Sequence, residues 1–382
     1  MKNLSFLCLS LCLLLKSAAA RRPLPSSSDV SALASFLSAI DPSTIPPWSC
    51  LASWNFSASH PCSLPRRSFF TCGLSCSSSR VSSITLDPAG YSGTLSPSIS
   101  SLSLLSLLDL SDNSFSGPIP PSLSSLPNLR TLVLRSNRFS GPLPASLASL
   151  PNLETLDLSY NSLSGPLPDW LGSLALLSRL DLSFNRITGA LPRLPRNLLE
   201  LALRGNSLSG SLSRHAFDGL NRLEVVELGQ NSLSGTLEQW FFLLPSLQQV
   251  NLANNSLTGV QVPRVDSRNG LVAVDLGFNQ IGGYVPGNLT SFPLLSSLSL
   301  RHNRLRGGIP AELGQKKTLR RLFLDGNYLT GKPPEGLVSG QAPVSGSLGD
   351  NCLQGCPASS RLCAPSQKPV AVCSQAYGGK PK

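Results

Sequence analysis

One motif returns along this chain at a nearly constant step, and it leaves few folds open. The spacing Leu105-x-x-Leu108-x-Leu110-x-x-Asn113-x-Phe115-x-Gly117 reappears 24 residues later as Leu129, Leu132, Leu134, Asn137, Phe139 and Gly141. The frame restarts at Leu153, Leu177, Leu198, Leu223, Leu247, Leu271, Leu295 and Leu319, with one step of 21 and one of 25 around Leu198. Counted from Val81, that makes eleven units. A period of roughly 20 to 50 residues marks a chain wound into stacked coils. A single unit cannot cover its own leucines, so neighbours must do so, and the two end units need covers with a polar outer side. L-x-L places a short strand in each unit, and the Asn and Gly then turn the chain. The predicted class is an α/β repeat solenoid over residues 81–342, a curved superhelix with a parallel β-sheet on its concave face.

The column Asn113, Asn137, Asn161, Asn185, Asn206, Asn231, Asn255, Asn279, Asn303, Asn327 reads as structural. An amide at the turn can satisfy backbone groups of its own and the adjacent unit, where an unpaired buried group costs about 1–3 kcal/mol. Ala89 breaks the column in the first unit.

The chain ends predict the compartment. Lys2, the apolar run Leu4 to Leu15 and Ala18-Ala19-Ala20 have the form of a signal peptide over residues 1–20. No later stretch reaches the roughly 20 apolar residues of a membrane span, and the polar end Ala376 to Lys382 lacks a lipid-anchor tail. The expectation is a secreted, extracellular chain with no direct membrane insertion. Of 10 cysteines, Cys8 and Cys12 lie in the signal. Cys50, Cys62, Cys72 and Cys76 fall in a cap at 21–80, and Cys352, Cys356, Cys363 and Cys373 in a second cap with a flexible tail at 343–382. Even clusters in an oxidising compartment predict disulfide-stapled caps, with the pairing inside each cluster open. Zinc is the rival reading for the close pairs Cys72 with Cys76 and Cys352 with Cys356. Ser28-Asp29 is predicted to cap a helix that lays Val30, Leu33, Phe36, Leu37 and Ile40 on the first unit. Residues beyond Cys373 are expected to be disordered.

Net charge is +11, and removing Lys2 and Lys16 leaves 29 basic minus 20 acidic residues, or +9. Residues 301 to 332 hold Arg301, Arg304, Arg306, Lys316, Lys317, Arg320, Arg321 and Lys332 against Glu312 and Asp325, which is +6. This predicts a basic patch on the last two units that attracts an acidic polymer or a partner's acidic surface. No nucleic-acid recognition motif accompanies the charge, so that partner class is excluded. His60, His215 and His302 are the available neutral-pH bases, none in a nucleophile motif and none placed to converge. The reading is non-enzymatic, with no catalytic residue, metal or cofactor.

The concave face follows from the frame. Residues between the paired leucines run from Thr85 and Asp109 to Asp275, Ser299 and Phe323; three positions on stand Tyr160, Phe184, Gln230, Asn254, Phe278 and His302. Exposed aromatics and arginines mark interfaces, so Tyr160, Phe184, Phe278, Arg301, His302, Arg304, Arg321 and Phe323 are the predicted partner-binding residues. The competing reading packs each aromatic on its neighbour in the next strand. N-x-S/T acceptors for glycosylation stand at Asn55, Asn254 and Asn288. A glycan on Asn254 is expected to divide the concave face.

Leu163-Ser164-Gly165-Pro166-Leu167-Pro168 and Phe139-Ser140-Gly141-Pro142-Leu143-Pro144 resemble the plant-specific leucine-rich repeat, whose L-x-G-x-I/L-P adds a second short strand. Leu51-Ala52-Ser53-Trp54-Asn55 before paired cysteines, then Arg80-Val81, resembles the N-cap of plant receptor-like proteins and receptor kinases. The resemblance runs from about 50 to 373 and implies recognition of a peptide or protein ligand. With no membrane span or kinase, the expected role is a soluble receptor-like subunit in signalling or defence that works with a membrane receptor kinase. The second reading is an inhibitor or scaffold on a wall enzyme such as polygalacturonase or an acidic wall polysaccharide. Cys352-x3-Cys356-x6-Cys363-x9-Cys373 does not resemble the cap of the polygalacturonase inhibitors.

Overall fold

The computed structural model describes residues 27–56, 62, 73–339, 344–357 and 359–378. Each L-x-L lays down one strand, from Arg80–Thr85 through Leu107–Asp109 and its successors to Arg321–Phe323, and these pair in parallel. Leucines face leucines across the ladder: Leu108 is in register with Leu132, Leu132 with Leu156, and Leu156 with Leu180. All four are buried, which fixes the register, because a one-residue slip would turn every leucine to water. Gly73–Ser77 closes the first edge as an antiparallel strand on Arg80–Thr85.

L-x-G builds a second row of strands, eight from Ser92–Thr94 to Ser256–Val260, followed by a separate row of three, Gly282–Tyr284, Arg304–Gly307 and Tyr328–Leu329. Gly141, at φ +83°, makes the turn that ends its strand. The convex side is built mostly of single 3-10 turns such as Pro121–Ser125 and Ala145–Ser149.

The asparagines stitch coil to coil. Asn137 Nδ2 donates to the carbonyls of Leu110 (2.9 Å) and Leu134 (3.2 Å), and its Oδ1 accepts from Phe115 N–H (2.9 Å). The stitch also continues past the predicted column. Asn351 donates to Leu324 O (3.0 Å) and accepts from Leu329 N–H (3.0 Å), beneath a further parallel strand, Ser345–Ser347, where the sequence reading expects cap. The frame keeps Leu348 and Asn351 but has glycine at the first leucine place of L-x-L, where a Cβ at Gly346 would collide with the Leu322 carbonyl.

The helix Ser27–Ser38 buries Leu33 and Phe36, with Ile40 just beyond its end, and Phe36 meets Phe115 at 6.1 Å. Asp29 holds the helix to the first coil, taking Arg80 Nη2 at 2.8 Å and Val81 N–H at 3.1 Å. Disulfides join Cys62 to Cys76, Cys352 to Cys373 and Cys356 to Cys363, and Cys50 is also disulfide-bonded. Those sulfurs are therefore not zinc ligands. Cys72, His60 and the expected signal lie outside the described residues. Over residues 374–378 the structure corrects the expectation of disorder after Cys373, while 379–382 lie outside the described residues. A helix, Val370–Ala376, carries Tyr377 onto the solenoid, where its hydroxyl donates to Tyr328 O (2.7 Å) and accepts from Gly307 N–H (2.9 Å). Among the described residues no helix is long and apolar enough to cross a membrane.

Candidate concave-face binding site

The residue before each structural asparagine forms the rim of the concave sheet, and every residue of this column from Asp112 to Asp350 has positive φ. Tyr160, Phe184 and Phe278 stand at 54° to 55° and His302 at 49°, a conformation that bulky side chains rarely adopt. The rings pair across coils. Tyr160 stacks on Phe184 with centroids 4.4 Å apart, and Phe278 on His302 at 4.5 Å. Each pair ends over a glycine: a Cβ at Gly205 would sit 2.7 Å from Phe184 Cδ1, and one at Gly326 would sit 2.5 Å from His302 Nδ1. The rim aromatics thus do stack on the next strand, and they also stay open to solvent, Tyr160 at 48% and Phe278 at 43%.

Between the two pairs the side chains become small. Gly229, Ala253 and Gly277 leave a hollow of about 380 Å³, within the usual range for ligand cavities. Arg204 forms one end, and Arg301, Arg321 and Phe323 form the other. Four strand steps of about 4.8 Å separate the Arg204 and Arg301 coils by about 19 Å, and Arg321 and Phe323 lie one step further. Glu227 and Asp275 lie between them. Burial pushes the Glu227 carboxyl above the usual range, against the hydrogen bond it accepts from Asn251 Nδ2 at 2.8 Å. Asp275 is committed to Gly277 N–H at 2.9 Å.

Arg301 is the most constrained of the cations. Its guanidinium bonds Asp325 at 2.9 Å and lies 5.4 Å from the Phe278 ring and 5.3 Å from the Phe323 ring. Asp325 is only 4% exposed, and His302 Nε2 approaches it at 3.6 Å. Ser299 Oγ, on the cavity lining, is buried without a hydrogen-bond partner, as are Arg301 Nε and Asp325 Oδ1. A larger hollow of about 600 Å³ on the convex side has its Asp266 and Arg268 already paired at 2.9 Å.

Of the predicted residues, Phe278, Arg301, Arg321 and Phe323 meet at this cavity, with His302 stacked behind Phe278. Tyr160 and Phe184 form a separate pair, and Arg304 belongs to the second row of strands. The basic run does not form one patch. Arg301 and Arg321 face the cavity, while Lys317 lines a convex hollow. Lys316 is spent on the carbonyls of Thr290 (3.3 Å) and Phe292 (2.6 Å), and burial lowers its pKa. Sequence reasoning did not name Arg204, counted Asp325 only as a charge and gave Gly205 and Gly326 no role in the site; a glycine one or two coils after an aromatic in the rim column is the signal that marks them. Asn254 lines the cavity, and Asn288 lies at the far side in the turn Gly287–Ser291. His215 sits in the convex turn Arg214–Phe217, remote from His302.

Family models described as leucine-rich repeat match residues 127–187 and 196–257, and 104–126, 294–315 and 318–339. The crystal structure of PEPR1–AtPEP1 is 33% identical with a TM-score of 0.71, covering 86% of this chain and 49% of that one. The plant peptide hormone receptor RGFR1 in complex with RGF2 is 31% identical, TM-score 0.63, covering 69% and 42%. The ectodomain of the membrane receptor kinase GASSHO1/SCHENGEN3 from Arabidopsis thaliana, in complex with CASPARIAN STRIP INTEGRITY FACTOR 2, is 26% identical, TM-score 0.64, covering 85% and 44%. The chain spans about half the length of these solved chains or less. No curated protein matches the sequence.

Proposed function

Given that this chain is a leucine-rich-repeat protein resembling the ectodomains of plant receptor kinases, we propose that it is a secreted, non-catalytic recognition protein. It binds a peptide or protein segment in the concave cavity between Arg204 and Phe323. The observation that carries this reading is Arg301, fixed by Asp325 and two aromatic rings before any ligand arrives. Holding an interface side chain in advance spares about 0.5–1.5 kcal/mol of ordering on binding. Guanidinium ends with carboxylates between them suit a segment that carries both signs of charge. The complex of RGFR1 with RGF2 is in keeping with a peptide ligand. In this reading the protein is a soluble, apoplastic receptor-like subunit, and a membrane receptor kinase transmits the signal. A scaffold on acidic wall polysaccharide is disfavoured, because the basic residues are spread over several faces.

The test is a pull-down from apoplastic fluid with quantitative mass spectrometry, comparing wild type, Arg301→Glu and Arg304→Glu. The expected partner is a peptide or a receptor kinase that Arg301→Glu loses and Arg304→Glu keeps. A partner retained equally by Arg301→Glu, or turnover of pectin or β-glucan by the purified protein, would overturn the reading.

A further inference from the structure

The rim column holds two side-chain amides: Gln230, which accepts from Arg204 Nε at 3.2 Å, and one that is unspent. Asn254 is exposed, and its backbone N–H is fixed to Gly277 O at 2.9 Å, yet its amide makes no hydrogen bond among the described residues. Its neighbour Asn255 has both ends of its amide committed, donating to Leu228 O and accepting from Leu233 N–H. At the acceptor Asn288, Nδ2 already donates to Val262 O at 2.9 Å. Asn254-Asn255-Ser256 is an N-x-S acceptor, so the free amide at the cavity rim is also the one a glycosyl transfer would modify.

The next rung of the column supplies a seat for the sugar. Rim aromatics lean toward the following coil, Tyr160 over Phe184 and Phe278 over His302. His302 and the Arg301 guanidinium, 5.4 Å from the Phe278 centroid, both come from the following coil, so among the described residues no ring or cation of the preceding coil meets the side of Phe278 toward Asn254, about 4.8 Å away along the sheet. At the matching place in the first pair, the Arg135 guanidinium covers Tyr160 at 5.6 Å. Phe278 has Ala253 in that position, whose methyl is too short to cover a ring.

We propose that Asn254 carries an N-linked glycan whose first sugar packs its C–H face on the open side of Phe278 and walls the cavity along its rim. The proposal depends on the secretory route assumed for this protein, but not on the identity of its ligand. In the transfer Asn254 Nδ2 loses a proton and bonds C1 of the sugar, while the bond from C1 to the diphosphate of a lipid-linked oligosaccharide breaks. The cell's transferase acts on the extended chain, before the coil closes over Asn255. A glycan so placed removes Phe278 as a ligand contact and leaves Arg301 accessible. A segment in the cavity then runs over Gly229, Ala253 and Gly277 and cannot cross the rim at this coil.

Expression of the full chain through the secretory route of human cells, followed by glycopeptide mass spectrometry and timed digestion with a peptide N-glycosidase, tests this. The expected result is an occupied Asn254. Its glycan should be released several-fold more slowly from native wild type and Phe278→Tyr than from Phe278→Ala, with all three equal after denaturation. An empty Asn254 beside an occupied Asn55 or Asn288 overturns the site while leaving secretion intact. A chain retained in the cell with all three acceptors bare removes both the secretory premise and the proposal. Equal release from native Phe278→Ala and wild type, both folded by circular dichroism, overturns the packing on Phe278.

Discussion

Asn327→Ala measures what the asparagine ladder contributes beneath the cavity wall. Asn327 is fully buried; its Oδ1 accepts from Leu305 N–H at 3.0 Å, and its Nδ2 donates to Leu300 O at 3.0 Å and Leu324 O at 2.9 Å. Truncation strands the Leu305 N–H in the interior, whereas the Leu300 and Leu324 carbonyls keep the amides of Asn303 and Asn351, each at 3.0 Å. At about 1–3 kcal/mol for one buried orphan, the variant should lose ~1–3 kcal/mol. Stability in a solenoid is close to a sum over coils and their nearest-neighbour contacts, so the loss should stay local. Urea unfolding gives the magnitude, and hydrogen exchange by mass spectrometry gives the place. Protection should fall over residues 297–357 and remain near wild type over 105–190. A loss below about 1 kcal/mol, within the scatter of ordinary surface substitutions, or a uniform loss along the array, would refute the account.

Three further outcomes are expected. Gly205→Ala places a Cβ 2.7 Å from Phe184 Cδ1 at φ +67°, so the Tyr160–Phe184 stack should open at a cost of ~2 kcal/mol; an unchanged near-ultraviolet dichroism and melting temperature would count against it. Burial raises the Glu227 carboxyl pKa in the fold, so the native state binds the proton more tightly than the unfolded chain, and stability should fall as pH rises from the usual carboxylate range through the raised native value. Glu227→Gln, which keeps an acceptor for Asn251, should flatten that slope in pH-dependent melting, and an identical slope would show that the group is not responsible. Paired Cys352→Ser and Cys373→Ser, which open a loop of 21 residues' separation, should cost about 2–4 kcal/mol and release the tail helix to limited proteolysis, whereas a tail that stays protected would mean the Tyr377 contacts suffice.

The coils were legible because their physics is periodic. A leucine that must face a leucine in the next strand, and an amide that must reach the carbonyl of the previous coil, leave the same residue at the same step, as at Leu108, Leu132 and Asn137. Contacts that do not repeat left no such trace. Tyr377 reaches Gly307 across 70 residues, and nothing near either position announces the bond. The Ser345–Ser347 strand hides for the opposite reason: its backbone comes so close to Leu322 that only glycine fits where the frame calls for leucine. The site was half legible. The aromatic column was visible, but its positive φ was not, since Tyr and Phe are among the residues least expected there.

The basic run shows why neighbours in sequence make a poor guide to a surface of this kind. In a wound chain the position within the 24-residue frame decides the face, and eight cations within little more than one period must disperse around the coil. Arg301 and Arg321, one coil apart, share the cavity wall, whereas Arg304, three residues from Arg301, belongs to the second row of strands beside Arg306. Lys316 is bonded to backbone carbonyls, Arg320 Nη1 donates to Lys317 O at 2.7 Å, and Arg306 lies over the Tyr377 ring at 5.8 Å. A polyanion stretched along one face therefore meets two or three of these charges rather than eight, and the long-range attraction that their sum suggests is divided among surfaces that point apart. In the proposed function recognition depends on Arg301, which Asp325 holds at the cavity wall, and on the carboxylates beside it, which is why reversing Arg301 and reversing Arg304 should have different consequences.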